Sequence, residues 1–107
     1  MKAGIVGGGA VGTLFAAFFH SAGIDYAVYE KDETLARAMS EGLCVHMPDG
    51  ELCFSSETAT VPNILSPCDV VFLFVKSYST DDAMRDIASS LKNGSVLVTL
   101  QNGIGNR

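Results

Sequence analysis

The stretch that decides the fold of this protein is KAGIVGGGAVG, residues 2–12. It runs from a short apolar strand pattern through G-x-G-x-x-G into a segment with helical spacing of apolar residues. In that context Gly7 permits a tight turn, Gly9 lets the backbone approach a pyrophosphate, and Gly12 allows close packing of helix on strand. Amides at the helix start then bind phosphate, helped by the helix dipole. We therefore expect a pyrophosphate-binding turn made of Gly7, Gly8, Gly9, Ala10, Val11 and Gly12.

Strands and helices alternate along the rest of the chain. We predict strands at residues 2–6, 26–29, 43–47, 52–55, 58–61, 70–75 and 95–100, and helices at 13–22, 33–40 and from 79 or 80 to about 92. The segment Pro48-Asp49-Gly50 has strong turn chemistry and predicts a β-hairpin. The alternation favours one α/β domain over residues 1–107: a Rossmann-like, doubly wound, mostly parallel sheet with a hairpin insertion.

Two charged residues follow the second predicted strand. Glu30 lies eighteen residues after Gly12, where a carboxylate typically accepts hydrogen bonds from the adenosine ribose of NAD. The adjacent Lys31 is a cation that can hold the additional phosphate of NADP. The two residues therefore point to different cofactors, and both are candidate cofactor ligands.

Two further candidates follow later strands. Lys76 comes directly after the apolar run 70–75, and Asn102 comes just after the last predicted strand. Because ligands of open α/β sheets bind at the carboxyl ends of the strands, both residues can face the cofactor or a substrate carboxylate.

Composition excludes several kinds of partner and location. With a formal net charge of −5, the chain is not expected to bind nucleic acid or an anionic membrane non-specifically. Its most apolar run is far too short to cross a bilayer, and the glycine-rich beginning is unlike a secretory signal. We therefore expect a cytoplasmic protein.

The cysteines and histidines do not indicate further chemistry. Cys44 and Cys53 flank the predicted turn and can face each other across the hairpin, but an odd count of three cysteines without a secretory signal favours reduced, packed thiols, Cys68 included. No cysteine or histidine spacing indicates zinc, so no metal ligand is expected. His20 is expected to be partly buried in the first helix and His46 exposed on the hairpin. We assign no catalytic residue.

The chain resembles the ketopantoate reductase (2-dehydropantoate 2-reductase) family over essentially its whole length. The resemblance rests on residues 2–12, on Val75-Lys76-Ser77 followed by a helix, and on Leu100-Gln101-Asn102-Gly103-Ile104-Gly105-Asn106. It implies NADPH-dependent reduction of 2-dehydropantoate to pantoate, a step of pantothenate and coenzyme A synthesis. By motif, Lys76 and Asn102 would lie near the cofactor and the 2-oxo acid substrate, and Lys31 replaces an arginine that holds the NADP phosphate.

Two features depart from the family pattern. Glu30 places a negative charge beside the expected phosphate, so NAD is an alternative to NADP. The helical carboxy-terminal domain that carries the family's catalytic lysine is absent from this sequence, so we expect a cofactor domain that is inactive alone. Its surface after Leu100 would be exposed, and some self-association, as in a homodimer, is expected.

Two other functions fit part of the pattern. One is a non-enzymatic nucleotide-sensing module, like the regulatory domains of potassium channels, for which Glu30 is suited. The other is a dehydrogenase that acts on another 2-oxo acid. The fold alone does not separate these functions.

Overall fold

The computed structural model describes residues 1–7, 9–74 and 80–99, and for Thr80 the backbone alone. The elements follow the expected alternation of strands and helices. They are β1 (Lys2–Val6), α1 (Ala10–Ala22), β2 (Asp25–Tyr29), α2 (Glu33–Glu41), β3 (Leu43–Met47), β4 (Gly50–Phe54), β5 (Thr58–Ala59), a 3-10 helix (Pro62–Leu65), β6 (Val70–Leu73), α3 (Thr80–Ala88) and β7 (Val96–Thr99).

A five-stranded parallel sheet forms the centre of the molecule. Its strand order is β5-β2-β1-β6-β7, and the order reverses on the two sides of β1. At the carboxyl end of β1, Val6 is opposite Tyr29 of β2 and Leu73 of β6. Strands β3 and β4 pair separately as an antiparallel hairpin. The predicted doubly wound α/β fold with a hairpin insertion is therefore confirmed.

Two helix boundaries differ from the sequence prediction by three residues or more. Helix α1 begins at Ala10 instead of residue 13, because Gly9 is the extended residue that caps it and the last three motif residues form its first turn. Helix α3 ends at Ala88 instead of residue 92, because the amide of Ser90 donates to the carbonyl of Ile87 three residues back.

The core lies on both faces of the sheet. Its first part contains Ala16 and Ala17 of α1, with the rings of Phe15 and Phe19 packed beside them. Its second part lies on the opposite face and contains Leu65, Cys68, Val71, Leu73 and Ile87. Helix α1 is apolar on its outer side as well, where Val11, Leu14 and Phe18 are exposed. None of the described helices has the length and apolar character that crossing a bilayer requires.

The cysteines of the hairpin form a disulfide, so the expectation of reduced thiols is wrong for Cys44 and Cys53. The physical reason is the strand register, which places the two residues directly opposite each other with their Cα atoms 4.0 Å apart. The expectation rested on how rarely disulfides occur in cytoplasmic proteins, which does not consider strand register. Cys68 is a buried free thiol, as expected, and burial raises its pKa.

Both histidines lie at the surface. His46 is exposed on β3, as predicted. His20 is also exposed, although it was expected to be partly buried, because it lies in the last turn of α1. Its ring packs beside that of Phe54 at a centroid distance of 5.1 Å.

Asp69 connects three segments at the amino edge of the sheet. Its carboxylate accepts a hydrogen bond of 2.7 Å from the amide of Lys2 and forms an ion pair with Lys92. These two contacts, chiefly the one with Lys92, hold the pKa of Asp69 below its ordinary value. The charged form is therefore the one that stabilises the fold.

We expect the substitution Asp69→Asn to lower the free energy of unfolding at neutral pH. Because the folded-state pKa is lowered, this contribution is present above the ordinary carboxyl pKa and disappears as the pH falls through the folded-state value. Urea unfolding of both proteins as a function of pH measures the difference, with Glu41→Gln as an exposed acidic control. A stability difference that persists in acid would contradict this role.

Candidate cofactor-binding site

The glycine turn lies at the carboxyl edge of the parallel sheet, between β1 and α1. Gly7 follows the last residue of β1 and has a φ of 96°, which a side chain would make unfavourable. Its amide donates a hydrogen bond of 2.9 Å to the carbonyl of Tyr29, so this amide is used to join the ends of β1 and β2. Gly7 therefore shapes the turn, and its amide does not point to a ligand.

Gly12 brings the helix close to the strand. A Cβ atom on Gly12 would lie 2.0 Å from the carbonyl oxygen of Gly7, which real structures do not permit. The helix can therefore begin directly above the end of β1 only with glycine at this position. This geometry agrees with the packing role that the motif predicts.

The start of α1 has the properties of an anion site. The first amides of a helix have no acceptor within the helix, and here they belong to Ala10, Val11 and Gly12. The first turn contains no acidic residue that would repel a phosphate group. A Cβ atom on Gly9 would meet no atom of the described residues within 4 Å. The glycine there is thus not required by packing, which fits a role in leaving room for a ligand.

A cavity of about 310 Å³ opens beside this turn. That volume is within the range of small-molecule sites. It is lined by the ends of β1 and β2 and by α3, through Val6, Gly7, Tyr29, Glu30, Lys31, Asp82, Ala83 and Asp86. Among the residues that the structure describes, the lining contains three carboxylates and one ammonium group.

Lys31 is already paired inside this cavity. Its Nζ lies 2.9 Å from Oδ2 of Asp86, and this contact raises the pKa of Lys31. The hydroxyl of Tyr29 donates to the same carboxylate oxygen at 3.4 Å. Burial, followed by the charge of Asp86, raises the pKa of Tyr29, so this hydroxyl keeps its proton. Asp86 therefore orients the ammonium group of Lys31, the one ammonium group among the described residues that line the cavity.

Glu30 is oriented by the backbone that follows β2. One of its carboxylate oxygens accepts a hydrogen bond of 2.9 Å from the amide of Asp32. Asp32 in turn caps α2 by accepting hydrogen bonds from the amides of Thr34 and Leu35. The start of α2 thus positions the carboxylate of Glu30 at the strand end, which is where a ribose acceptor is expected.

The structure brings together only part of the predicted site. Gly7, Glu30 and Lys31 line the cavity, whereas Gly9 and the first residues of α1 lie next to it in the chain without lining it. The expectations for Gly8, Lys76 and Asn102 fall outside the described residues. Sequence reasoning missed Asp82 and Asp86 as cavity residues. Their spacing of four, just after the strand of residues 70–73, is a signal that could have found them.

The fold and the edge cavity define a Rossmann-like α/β domain of the kind found in oxidoreductases. A family model described as "Ketopantoate reductase PanE/ApbA" matches residues 3–107. The chain therefore belongs to the ketopantoate reductase family. This membership favours the oxidoreductase interpretation over the nucleotide-sensing module.

Two archaeal proteins illustrate the sequence similarity. The 2-dehydropantoate 2-reductase of Halobacterium salinarum is 34% identical over 110 residues, a match that covers 99% of this chain and 35% of that protein. The 2-dehydropantoate 2-reductase of Pyrococcus abyssi is 35% identical over 107 residues and is covered to 34%. The chain thus spans about a third of the length of these relatives.

Solved structures are similar to this chain in fold as well. The PanE/ApbA family ketopantoate reductase of Ralstonia eutropha superposes with a TM-score of 0.89 at 25% identity, covering 99% of this chain and 36% of that one. A D-mandelate dehydrogenase in a ternary structure with NADH and anilino(oxo)acetate superposes with a TM-score of 0.84 at 24% identity, covering 99% of this chain and 35% of that one. The second similarity is one of fold alone.

Two alanine substitutions test whether packing requires glycine at position 12 but not at position 9. Gly12→Ala forces a Cβ atom onto the carbonyl of Gly7 and is expected to lower the free energy of unfolding by roughly 2–3 kcal/mol. The new Cβ atom of Gly9→Ala meets no described atom within 4 Å, so this substitution should change the free energy of unfolding by less than about 1 kcal/mol. Urea unfolding measures both variants. Equal losses would show that the two positions are packed alike.

Proposed function

We propose that this chain is the nicotinamide-dinucleotide-binding part of a 2-dehydropantoate 2-reductase-like oxidoreductase. The observation that carries the proposal is the cavity at the carboxyl edge of the sheet, bounded by the glycine turn on one side and by Glu30 and Lys31 on the other. When bound, the cofactor supplies a hydride for reduction of a carbonyl group. The residues of this chain bind and orient it.

The start of α1 is proposed to hold the pyrophosphate. The amides of Ala10, Val11 and Gly12 would donate to the phosphate oxygens, together with the amide of Gly8 as the motif predicts. Gly9 would provide the clearance, because its missing side chain leaves open space. The positive end of the helix dipole would add to the attraction, even though the net charge of the chain is negative.

The cavity is proposed to accept both NADPH and NADH, through different residues. Glu30 would accept hydrogen bonds from the ribose hydroxyls of NADH. Lys31 would hold the additional phosphate of NADPH, which is the cofactor that the family resemblance implies. Because Lys31 is paired with Asp86, the phosphate has to displace that carboxylate first. Asp86 thus limits the preference for NADPH.

Turnover is proposed for a protein that also contains the part of such an enzyme that this chain does not span. Lys76 and Asn102 would contact cofactor and substrate at the same sheet edge, as their positions in the sequence predict. The proposed substrate is 2-dehydropantoate, with another small 2-oxo acid as the alternative. For this chain alone we propose cofactor binding without turnover. Its location in the cytoplasm and its self-association remain predictions.

Calorimetric titration of the chain with NADPH and with NADH tests the proposal. We expect saturable binding of both, and its loss in Gly9→Val, because the new side chain occupies the space proposed for the pyrophosphate. The control is the unfolding midpoint of Gly9→Val, which should stay near that of the unsubstituted chain. Absence of binding to the unsubstituted chain, or unchanged binding to a folded Gly9→Val variant, would contradict the assignment.

A second experiment tests the role of Asp86. Asp86→Asn releases Lys31 and is expected to raise the affinity for NADPH several-fold relative to that for NADH. The matched control is Asp82→Asn, which removes a carboxylate of the same cavity whose hydrogen-bond partner is Arg85. In the double variant Lys31→Met and Asp86→Asn the gain should vanish. An equal gain for NADH, or an equal effect of Asp82→Asn, would refute this assignment.

A further inference from the structure

The outer face of the β3–β4 hairpin carries residues that the proposed function does not use. Alternate residues of each strand point to opposite faces. The inward set packs on the core beside α1 and comprises Leu43, Val45, Met47, Leu52 and Phe54. The outward set is exposed and comprises Cys44, His46, Glu51 and Cys53. Each of these outward residues is of a type that ligates metal ions.

The strand register arranges the outward residues as two facing pairs. Cys44 is opposite Cys53, and His46 is opposite Glu51, two residues farther toward the turn. The Cα separation of 4.0 Å shows that the two cysteines form a closely spaced pair. Close and wide pairs alternate along an antiparallel ladder, so the pair two residues away, His46 and Glu51, is of the closely spaced kind as well. The ligand atoms of Cys44, Glu51 and Cys53 all lie within 4.8 Å of one another.

We propose that this face, once its disulfide is reduced, binds a thiophilic divalent cation of the Zn²⁺ type. Cys44 and Cys53 supply two thiolates and Glu51 supplies a carboxylate oxygen. His46 leaves the same face opposite Glu51 and supplies the fourth ligand by rotation of its side chain. Two sulfurs, one nitrogen and one oxygen suit a tetrahedral zinc ion, whereas Mg²⁺ and Ca²⁺ require oxygen ligands.

The redox step and the binding step balance separately. A dithiol reductant transfers two electrons and two protons to the Cys44–Cys53 disulfide, which breaks the S–S bond and converts the reductant into its own disulfide. Binding of Zn²⁺ then releases both thiol protons, since thiolate is the ligand form. Disulfide and metal ion therefore exclude each other. Each joins β3 to β4 at the same position.

The site is separate from the cofactor cavity. Helix α2 begins two residues after Lys31, at the cavity, and ends immediately before β3. Its nine residues span roughly 13 Å at about 1.5 Å per residue. The ring of His20, in the last turn of α1, contacts Phe54 of the hairpin, which also places the hairpin at the far end of that helix. The proposal does not depend on the function proposed for the cavity.

Titration of the reduced chain with Co²⁺, a spectroscopic substitute for Zn²⁺, tests the site. The chain is reduced with a dithiol and freed of it by gel filtration without oxygen. We expect a thiolate-to-cobalt charge-transfer band that saturates at a single equivalent and is abolished by Zn²⁺. The same chain with its disulfide intact should give no band. A band of equal strength in the oxidised chain, or none in the reduced chain, would overturn the proposal.

Variants identify the ligands. Cys53→Ser should abolish the band, whereas Cys68→Ala, which removes the buried thiol, should leave it unchanged. Glu51→Gln and His46→Gln should each weaken Zn²⁺ binding at least about 10-fold. Loss of a residue that only supports a metal ligand already costs about this factor, and loss of a direct ligand should cost no less. The matched control Glu41→Gln, at the exposed end of α2, should have no effect. Retention of full affinity in both Glu51→Gln and His46→Gln, or loss of the band in Cys68→Ala, would overturn the four-ligand site.

Discussion

The close approach of two glycines determines the arrangement of the cofactor edge. Because Gly12 has no side chain, the carbonyl oxygen of Gly7 can lie against the backbone of α1. The first turn of the helix can therefore pack directly against the end of β1, although α1 begins at Ala10 and β1 ends at Val6. This position places the unpaired amides of its first turn over the carboxyl edge of the sheet, where the strand order reverses. Both the position of these amides and the shape of the neighbouring cavity depend on this contact.

The same edge is assembled from elements distant in the sequence. Parallel pairing aligns Val6 with Tyr29 and Leu73, so the segments that follow β1, β2 and β6 leave the sheet at one level. Helix α3 then brings Asp82 and Asp86 to the residues that follow β2. Lys31 consequently meets a carboxylate fifty-five positions away in the chain, and its charge is directed by α3 as well as by its own strand.

Much of the fold was predictable from the sequence, because local patterns and the fold agree. The apolar strand, the glycine turn and the helical spacing after it each specify one element, and their alternation specifies a parallel sheet. Helix ends were less predictable, since they depend on single hydrogen bonds such as that from Ser90 to Ile87. In the site, Glu30 and Lys31 were found because they follow a strand directly. Asp86 was missed because its contact with Lys31 depends on how α3 packs, which the spacing of Asp82 and Asp86 alone does not specify.

In the hairpin, the strand register determines which cysteines meet, and the general frequency of disulfides does not predict this pairing. The odd number of cysteines and the expectation of a cytoplasmic protein favoured reduced thiols, but those arguments concern a whole class of proteins. A two-residue turn at Pro48 and Asp49 places residue 44 opposite residue 53. Once the turn is set, the side-chain period of two puts Cys44, Cys53, His46 and Glu51 on one face, because the other face is required by the core. The packing of Phe54 and Leu52 against the core therefore determines which side chains meet outside it.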